Sequence, residues 1–170
     1  PLKAQYDYIL VDTPPSESNL TASALAFANE VIIPLQAHYF AMEGLNQALD
    51  MISKVKRGLN KNIKVAGILP TMVNSRTNIS KVVIENAKEQ HGKLVYPFVV
   101  EYSVRHPEST LEGVPLVIAD PKHGGAVAYT KLTEAIASRD NRPWRKTDRA
   151  IRPGRQPSGV WAQANPSSDP

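Results

Sequence analysis

Residues 6–15 read YDYILVDTPP, and this stretch decides how the start of the chain is expected to fold. Residues 8–11 are apolar and of strand length, which is typical of a strand covered on both faces in a parallel sheet. The run ends at Asp12, and Pro14 and Pro15 lack the backbone N–H groups that a strand needs to continue. The stretch therefore predicts a buried strand that holds a carboxylate rigidly before a stiff loop.

Downstream, apolar runs of strand length alternate with segments of helical periodicity. The pattern predicts further strands at residues 30–35, 64–72 and 93–100. It predicts helices at residues 19–29, 41–59, 78–90 and 125–137, with a short edge or capping element at 114–119. Strands that alternate with helices of this length predict an α/β fold, with mostly parallel strands and helices on both faces of the sheet.

Composition excludes several classes of protein. The 170 residues include no cysteine, so neither a disulfide framework nor a thiolate metal site is available. No run approaches 18 apolar residues, the length needed to span a bilayer. The four histidines are scattered without the spacing of metal ligands.

Charge is unevenly placed along the chain. Seven of the 20 Lys and Arg residues, but only three of the 16 acids, lie beyond Ser138, which leaves 13 of each before it. The last 32 residues also hold five prolines and show no periodicity. We therefore predict two parts, a neutral domain at residues 1–138 and a disordered, basic, Pro-rich tail at residues 139–170 that contains Trp144 and Trp161.

The position of Asp12 points to phosphate chemistry. In open α/β sheets, ligands bind at the carboxyl ends of the strands. An acid placed there, after an apolar strand, holds phosphate-bound Mg²⁺ in nucleotide hydrolases. The alternative is that Asp12 simply caps the turn that follows.

Five spaced segments decide between these alternatives. YDYILVDTPP (6–15), LTASALAFANEVIIPLQAHYFAMEGLNQALDMI (20–52), GILPTMVNSRTN (67–78), VRHPESTLEGVPL (104–116) and DPKHGGAVAY (120–129) together resemble the ParA/Soj family of DNA-partition ATPases. The resemblance implies a P-loop NTPase-type sheet, here incomplete, in a deviant Walker-type ATPase. It also implies an ATP-dependent dimer that binds DNA without sequence preference and is stimulated by a ParB-type partner.

The resemblance assigns roles to particular residues. Asp12 corresponds to the Walker B acid, which holds Mg²⁺ through water, and Thr13 and Pro14 begin the switch II loop beside the nucleotide. Asn74 falls in the loop that contributes to the adenine pocket, where an amide both donates to and accepts from a base edge. A turn-forming role for Asn74 is the alternative.

Two arginines, Arg76 and Arg105, match surface arginines with which family members bind DNA. A guanidinium forms bidentate bonds to phosphate oxygens and reads no sequence. The alternatives are an i,i+3 ion pair with Glu108 for Arg105 and simple solvent exposure for Arg76.

The phosphate-binding loop of the family, of the type KGGxGKT, is absent from these 170 residues. Gly-Gly occurs only at Gly124-Gly125, with no Lys-Thr after it. That loop supplies the backbone amides and lysines that contact the phosphates. We therefore expect the chain to be the C-terminal portion of a ParA-like ATPase domain, inactive alone, whose intact form acts on the nucleoid in the cytoplasm.

Two other functions remain open at this stage. A MinD-like positioning ATPase shares the fold but needs a C-terminal amphipathic helix at the membrane, and the Pro-broken tail has no apolar face. A non-catalytic DNA- or protein-binding adaptor without a P-loop is the second alternative. An in-frame Gly-Lys-Thr loop upstream of Pro1 distinguishes the ATPase from the adaptor. Neither the cargo, chromosome or plasmid, nor the partner is fixed by the sequence.

Overall fold

The computed structural model describes residues 5–14 and 18–139, and within them it shows an α/β architecture. Two parallel strands alternate with the first three of six α-helices, and the other three helices follow without a further strand in the described ranges. The elements are α1 Asn19–Phe27, β1 Glu30–Gln36, α2 Ala41–Gly58, β2 Lys64–Thr71, α3 Asn78–His91, α4 Arg105–Leu111, α5 Leu116–Ala119 and α6 Gly124–Arg139, with a 3₁₀ turn at Gly92–Leu94.

The strands β1 and β2 pair in parallel, from Glu30 opposite Lys64 to Gln36 opposite Thr71. Residues 66–70 of β2 are buried without interruption. Continuous burial along a strand is typical of a sheet that is covered on both faces. The predictions for β1, β2 and the helices α1, α2, α3 and α6 are therefore confirmed to within one or two residues.

The two faces of β2 contact different helices. Ile68 belongs to a core cluster with Leu45 of α2 and Val83 of α3, whereas its neighbour Leu69 packs with Ala128 of α6. Successive residues of a strand point to opposite faces. Helices therefore cover both faces of the sheet, as the sequence predicts.

Residues 93–100 were predicted as a strand, and that prediction is wrong. The segment begins as the 3₁₀ turn and then runs beside β2 with isolated parallel bridges, Ile68 to Val95 and Val73 to Glu101. Hydrogen bonds from Tyr96 N to Ile68 O (2.9 Å) and from Val100 N to Pro70 O (2.9 Å) flank Pro97. Pro97 has no N–H to give, so the ladder is interrupted there.

The strand predicted at residues 8–11 does not form. These residues have no regular secondary structure and are exposed, Leu10 to 89%. The sheet within the described ranges consists of β1 and β2, so residues 8–11 join no ladder there and are not covered by a neighbouring strand. Asp12 therefore lies on an irregular, exposed segment and not at the end of a rigid strand.

One helix was missed by the sequence reading. In α4 the third residue is Pro107, which resembles a breaker but is tolerated in a first helical turn because its missing N–H has no intrahelical acceptor there. The segment 114–119, for which the sequence predicts an edge or a capping element, contains the short helix α5 at Leu116–Ala119.

The predicted tail begins at the last residue of α6, Arg139, and its remainder, with Trp144 and Trp161, lies outside the described residues. Among the helices that the structure describes, none has the length and apolar character to span a membrane.

Candidate functional site

The loops that follow β1, β2 and residues 95–101 lie at the carboxyl-terminal edge of the sheet, where ligands bind in open α/β folds. Asp12, Thr13 and Pro14 form a separate exposed segment. A hydrogen bond joins this segment to α1, from Thr21 Oγ1 to the carbonyl oxygen of Pro14 at 3.5 Å. The Pro15 end of the predicted switch loop lies outside the described residues.

Asp12 fits a metal site in which the protein provides only one or two of the ligands. Its side chain is exposed, and a carboxylate is a preferred ligand of Mg²⁺. Across residues 5–14 and 18–139, no group of three or more His, Cys, Asp or Glu side chains is placed to hold a metal ion. Mg²⁺ is often held by one or two carboxylates together with water and substrate phosphates, and Asp12 fits that arrangement.

Asn74 forms a turn after β2. Its Oδ1 accepts a hydrogen bond from Arg76 N (3.1 Å), and its carbonyl oxygen accepts from Thr77 N (3.0 Å) and Thr77 Oγ1 (2.9 Å). This is an Asx turn, in which the side chain satisfies the backbone two residues on. Asn74 therefore has the turn-forming role that the sequence analysis gives as the alternative. The NH₂ group of its side-chain amide takes no part in the turn.

A buried serine fixes this turn to the sheet. Ser80 of α3 is 2% exposed, and its Oγ accepts a hydrogen bond from Asn74 N (3.2 Å). The same hydroxyl lies 3.4 Å from the carbonyl oxygen of Ala37, just after β1. Ser80 thereby joins the carboxyl ends of both strands, and the sequence reading missed it because Ser80 reads as an ordinary helix residue.

The two predicted DNA-binding arginines occupy different surroundings. Arg76 is exposed, with no ion pair inside the described ranges. Arg105 opens α4 and pairs with Glu108 at 2.9 Å, both side chains being about half exposed. An exposed pair of this kind contributes only about 0.2–0.5 kcal/mol to stability, so Glu108 holds the Arg105 side chain weakly.

The backbone of Arg105 is fixed by a chain of hydrogen bonds. Arg105 N donates to Ser103 Oγ (3.2 Å), and Ser103 Oγ lies 3.1 Å from His123 Nε2. Gly125 N donates to His123 Nδ1 (3.0 Å). With Nδ1 accepting, the ring proton of neutral His123 belongs on Nε2 and is donated to Ser103.

His106 packs edge-on against this arrangement, with ring centroids 5.8 Å from His123 and 6.3 Å from Tyr129. Its Nε2 is buried and has no hydrogen-bond partner within the described chain. Burial, and secondarily the charge of His123, lower the pKa of His106 below its ordinary value. The sequence reading treated the histidines as scattered, although the two quoted segments VRHPE and DPKHGG each carry one of this pair.

The structure brings some of the predicted residues together and not others. Asn74 and Arg76 share one turn, and backbone hydrogen bonds from Val73 N to Val100 O (3.1 Å) and from Tyr102 N to Val73 O (3.0 Å) join it to the loop before Arg105. Within the parts of the chain that are described, no hydrogen bond connects Asp12 to these loops.

Comparisons with known proteins agree with this arrangement. The AAA domain family matches residues 1–65. The chromosome partitioning protein ParA of Myxococcus xanthus is 44% identical over 140 residues, which are 82% of this chain and 50% of that protein. The sporulation initiation inhibitor protein Soj of Bacillus subtilis is 39% identical over 137 residues, 81% of this chain and 54% of Soj. The chain thus spans about half the length of the curated relatives it matches.

A solved structure shares the fold. Cobyrinic acid a,c-diamide synthase from Mycobacterium smegmatis, with bound ATP analog and magnesium, superposes with a TM-score of 0.64 at 29% identity, over 83% of this chain and 52% of that one. This likeness confirms the predicted fold class, an incomplete P-loop NTPase-type sheet. The identity to ParA and Soj over about four fifths of this chain, together with the shared fold, supports the ParA/Soj family as the family of this chain.

Proposed function

We propose that this chain is part of a ParA-like partition ATPase, in which it supplies the Mg²⁺-binding carboxylate and the DNA-binding surface. The observation that carries the proposal is the 44% identity to ParA over 140 residues. The phosphate-binding loop required for turnover is not among these 170 residues, so we propose that the chain is inactive alone and acts joined to that loop.

ATP and Mg²⁺ are the proposed ligands, as in the solved neighbour. When bound, Mg²⁺ would supply charge neutralisation for phosphoryl transfer. Asp12 would hold the metal from its exposed segment, and Thr13 and Pro14, which follow it directly, would lie beside the nucleotide. The Asn74 amide group, whose NH₂ is not used by the turn, donates to the edge of the base.

Arg76 and Arg105 bind DNA through phosphate neutralisation, without reading sequence. Both follow the carboxyl-terminal edge of the sheet, so nucleotide-driven dimerisation at that edge aligns two copies of each arginine. In this proposal a ParB-type protein stimulates turnover and the intact protein acts on the nucleoid in the cytoplasm, with either a chromosome or a plasmid as cargo.

The experiment uses a chimera in which this chain replaces the 140 matching residues of Myxococcus xanthus ParA. We expect the chimera to bind double-stranded DNA when ATP is present. Arg76→Glu and Arg105→Glu should each weaken that binding at least about tenfold and lower the salt slope by roughly 2, since a dimer loses two phosphate contacts. ATP binding should persist in both variants.

Lys81→Glu provides the matched control, because Lys81 is exposed on α3 and the charge change is the same. It should retain DNA binding to within about twofold. Equal losses in all three variants would assign the effect to net charge. Loss of ATP binding together with DNA binding would indicate misfolding, and a chimera that never binds DNA would contradict the proposal.

A further inference from the structure

An open groove of about 390 Å³ lies at the amino-terminal edge of the sheet, between the start of β1, the start of β2 and the end of α2. Its lining includes three lysines, Lys56, Lys61 and Lys64, and two amides, Asn29 and Asn62. We call this the basic groove. All five residues are exposed, so ten or more N–H donors of these side chains face one opening.

The three ammonium groups have no partner within the described residues. None lies within 4.0 Å of a carboxylate there, and none makes a hydrogen bond. The acid in the lining, Glu30, is directed to another cation, with its Oε2 at 3.8 Å from Arg139 Nη1. The basic groove therefore carries positive charge that the described fold leaves uncompensated.

Helix capping does not account for this cluster. Lys56 lies in the last turn of α2, where a cation complements the helix dipole. Lys61 and Lys64, however, lie beyond that helix. The carboxyl end of α1 is capped by Asn60, whose Nδ2 donates to Leu25 O (3.0 Å) and Ala28 O (2.7 Å).

The loop that presents the lysines is held firmly. Asn60 Oδ1 accepts from Asn62 N (3.2 Å), Ile63 is 1% exposed, and Lys64 N donates to Asn29 O (3.1 Å). The backbone at residues 60–64 is thus anchored at three points. A rigid loop places its charges in advance, which reduces the entropy lost on binding.

We propose that the basic groove binds the phosphodiester backbone of DNA, as a second contact surface that needs no nucleotide. Lysine and asparagine side chains are common donors to backbone phosphates and sugars. The lining contains no aromatic ring, and its one apolar residue, Ile63, is buried, so no surface is available to stack the base of a free nucleotide. An open, polar groove suits a polymer that passes through it.

The surface is separate from the proposed nucleotide edge. The strand β2 has eight residues, whose seven steps of about 3.3 Å place Lys64 roughly 23 Å from Thr71, and the turn at Asn74 follows that end of the strand. The inference therefore goes beyond the proposed function, and it survives if Arg76 and Arg105 prove not to bind DNA.

The test uses the full 170-residue chain without nucleotide, in fluorescence anisotropy titrations with two unrelated 30-base-pair duplexes across a salt series. The triple variant Lys56→Gln/Lys61→Gln/Lys64→Gln is compared with Lys81→Gln/Lys88→Gln/Lys131→Gln. The control set is exposed, without ion pairs in the described ranges, and removes the same charge. Thermal melts check that both variants fold as the parent does.

We expect the groove variant to lose at least about tenfold in affinity for both duplexes and roughly 2 to 3 units of salt slope, near 0.9 for each phosphate contact. The control should stay within about twofold of the parent. Equal losses in the two variants, no loss in the groove variant, or no DNA binding by the parent would each overturn the proposal.

A competition experiment tests whether the basic groove binds DNA, a small polyphosphate or an acidic protein segment. Sodium triphosphate, at the same phosphate concentration as the duplex, should displace the duplex poorly. If triphosphate or polyglutamate displaces it as well as unlabelled duplex does, the ligand is a small polyphosphate or an acidic protein segment, and the DNA assignment is wrong. Arg76→Glu and Arg105→Glu made in the same chain should leave the difference between the two triple variants unchanged.

Discussion

At position 125, the Cβ atom of any residue other than glycine would clash with the ring of His106. A Cβ built at this position would lie 2.6 Å from both Cε1 and Nε2 of His106, closer than such contacts are found in proteins. The same residue donates its N–H to His123. The sequence analysis notes Gly124-Gly125 only because no Lys-Thr follows it, since a glycine required by a distant ring leaves no local signal.

Gly125→Ala is expected to destabilise the fold by about 1–3 kcal/mol, the usual cost of overpacking a filled site. Gly124→Ala is the matched control, since a Cβ there meets nothing within 4 Å. Urea unfolding of the two variants measures the difference. Similar free energies of unfolding for both would show that His106 moves aside without cost.

At the scale of elements, α4 and α6 meet at the two histidines. His106 of α4 faces His123, just before α6, and Tyr129 of α6, while Arg105 and Glu108 on its own helix pair with each other. The lowered pKa of His106 means that the unfolded chain binds a proton more readily than the folded chain. Stability is therefore retained above the ordinary value of 6.5 and lost as the pH falls below it.

We expect the urea concentration at the unfolding midpoint of the parent chain to decrease as the pH is lowered from about 7.5 to about 5.5. His106→Phe keeps a ring in the packing but cannot titrate, so this variant should lose less stability over the same interval. The comparison of the two pH profiles is the measurement. Parallel profiles would show that His106 does not contribute to the acid sensitivity.

Sequence patterns predicted the elements whose signals are local. Amphipathic spacing located α2 and α3, and the continuous apolar run located β2. The strand predictions for residues 8–11 and 93–100 are wrong because a strand depends on its neighbours. Residues 8–11 join no ladder within the described ranges, and the pairing of residues 93–100 with β2 is interrupted at Pro97. The candidate residues were found through family resemblance, whereas the contacts of Ser80, Ser103 and His123 depend on tertiary structure and could not be read from spacing.

At the scale of the whole molecule, the 170 residues include the proposed metal-binding carboxylate but not the loop that would cradle phosphates. We expect the 170-residue protein to release no phosphate from ATP above the level of its Asp12→Asn variant, since backbone amides and a lysine stabilise phosphoryl transfer in this class of enzyme. A colorimetric phosphate assay with Mg²⁺ measures this. A rate that depends on Asp12 would contradict the expectation. Asp7→Asn, in the same segment, controls for the change of charge.

The carboxyl end of α6 has a consequence for the rest of the chain. Arg139 lies over the Tyr96 ring at 5.7 Å and reaches Glu30, which lines the basic groove. Six further Lys and Arg residues follow Arg139 along the sequence. These residues continue the sequence from Arg139. Under the proposed DNA contact at the basic groove, cationic side chains linked to the groove through α6 would raise the effective concentration of phosphate contacts there.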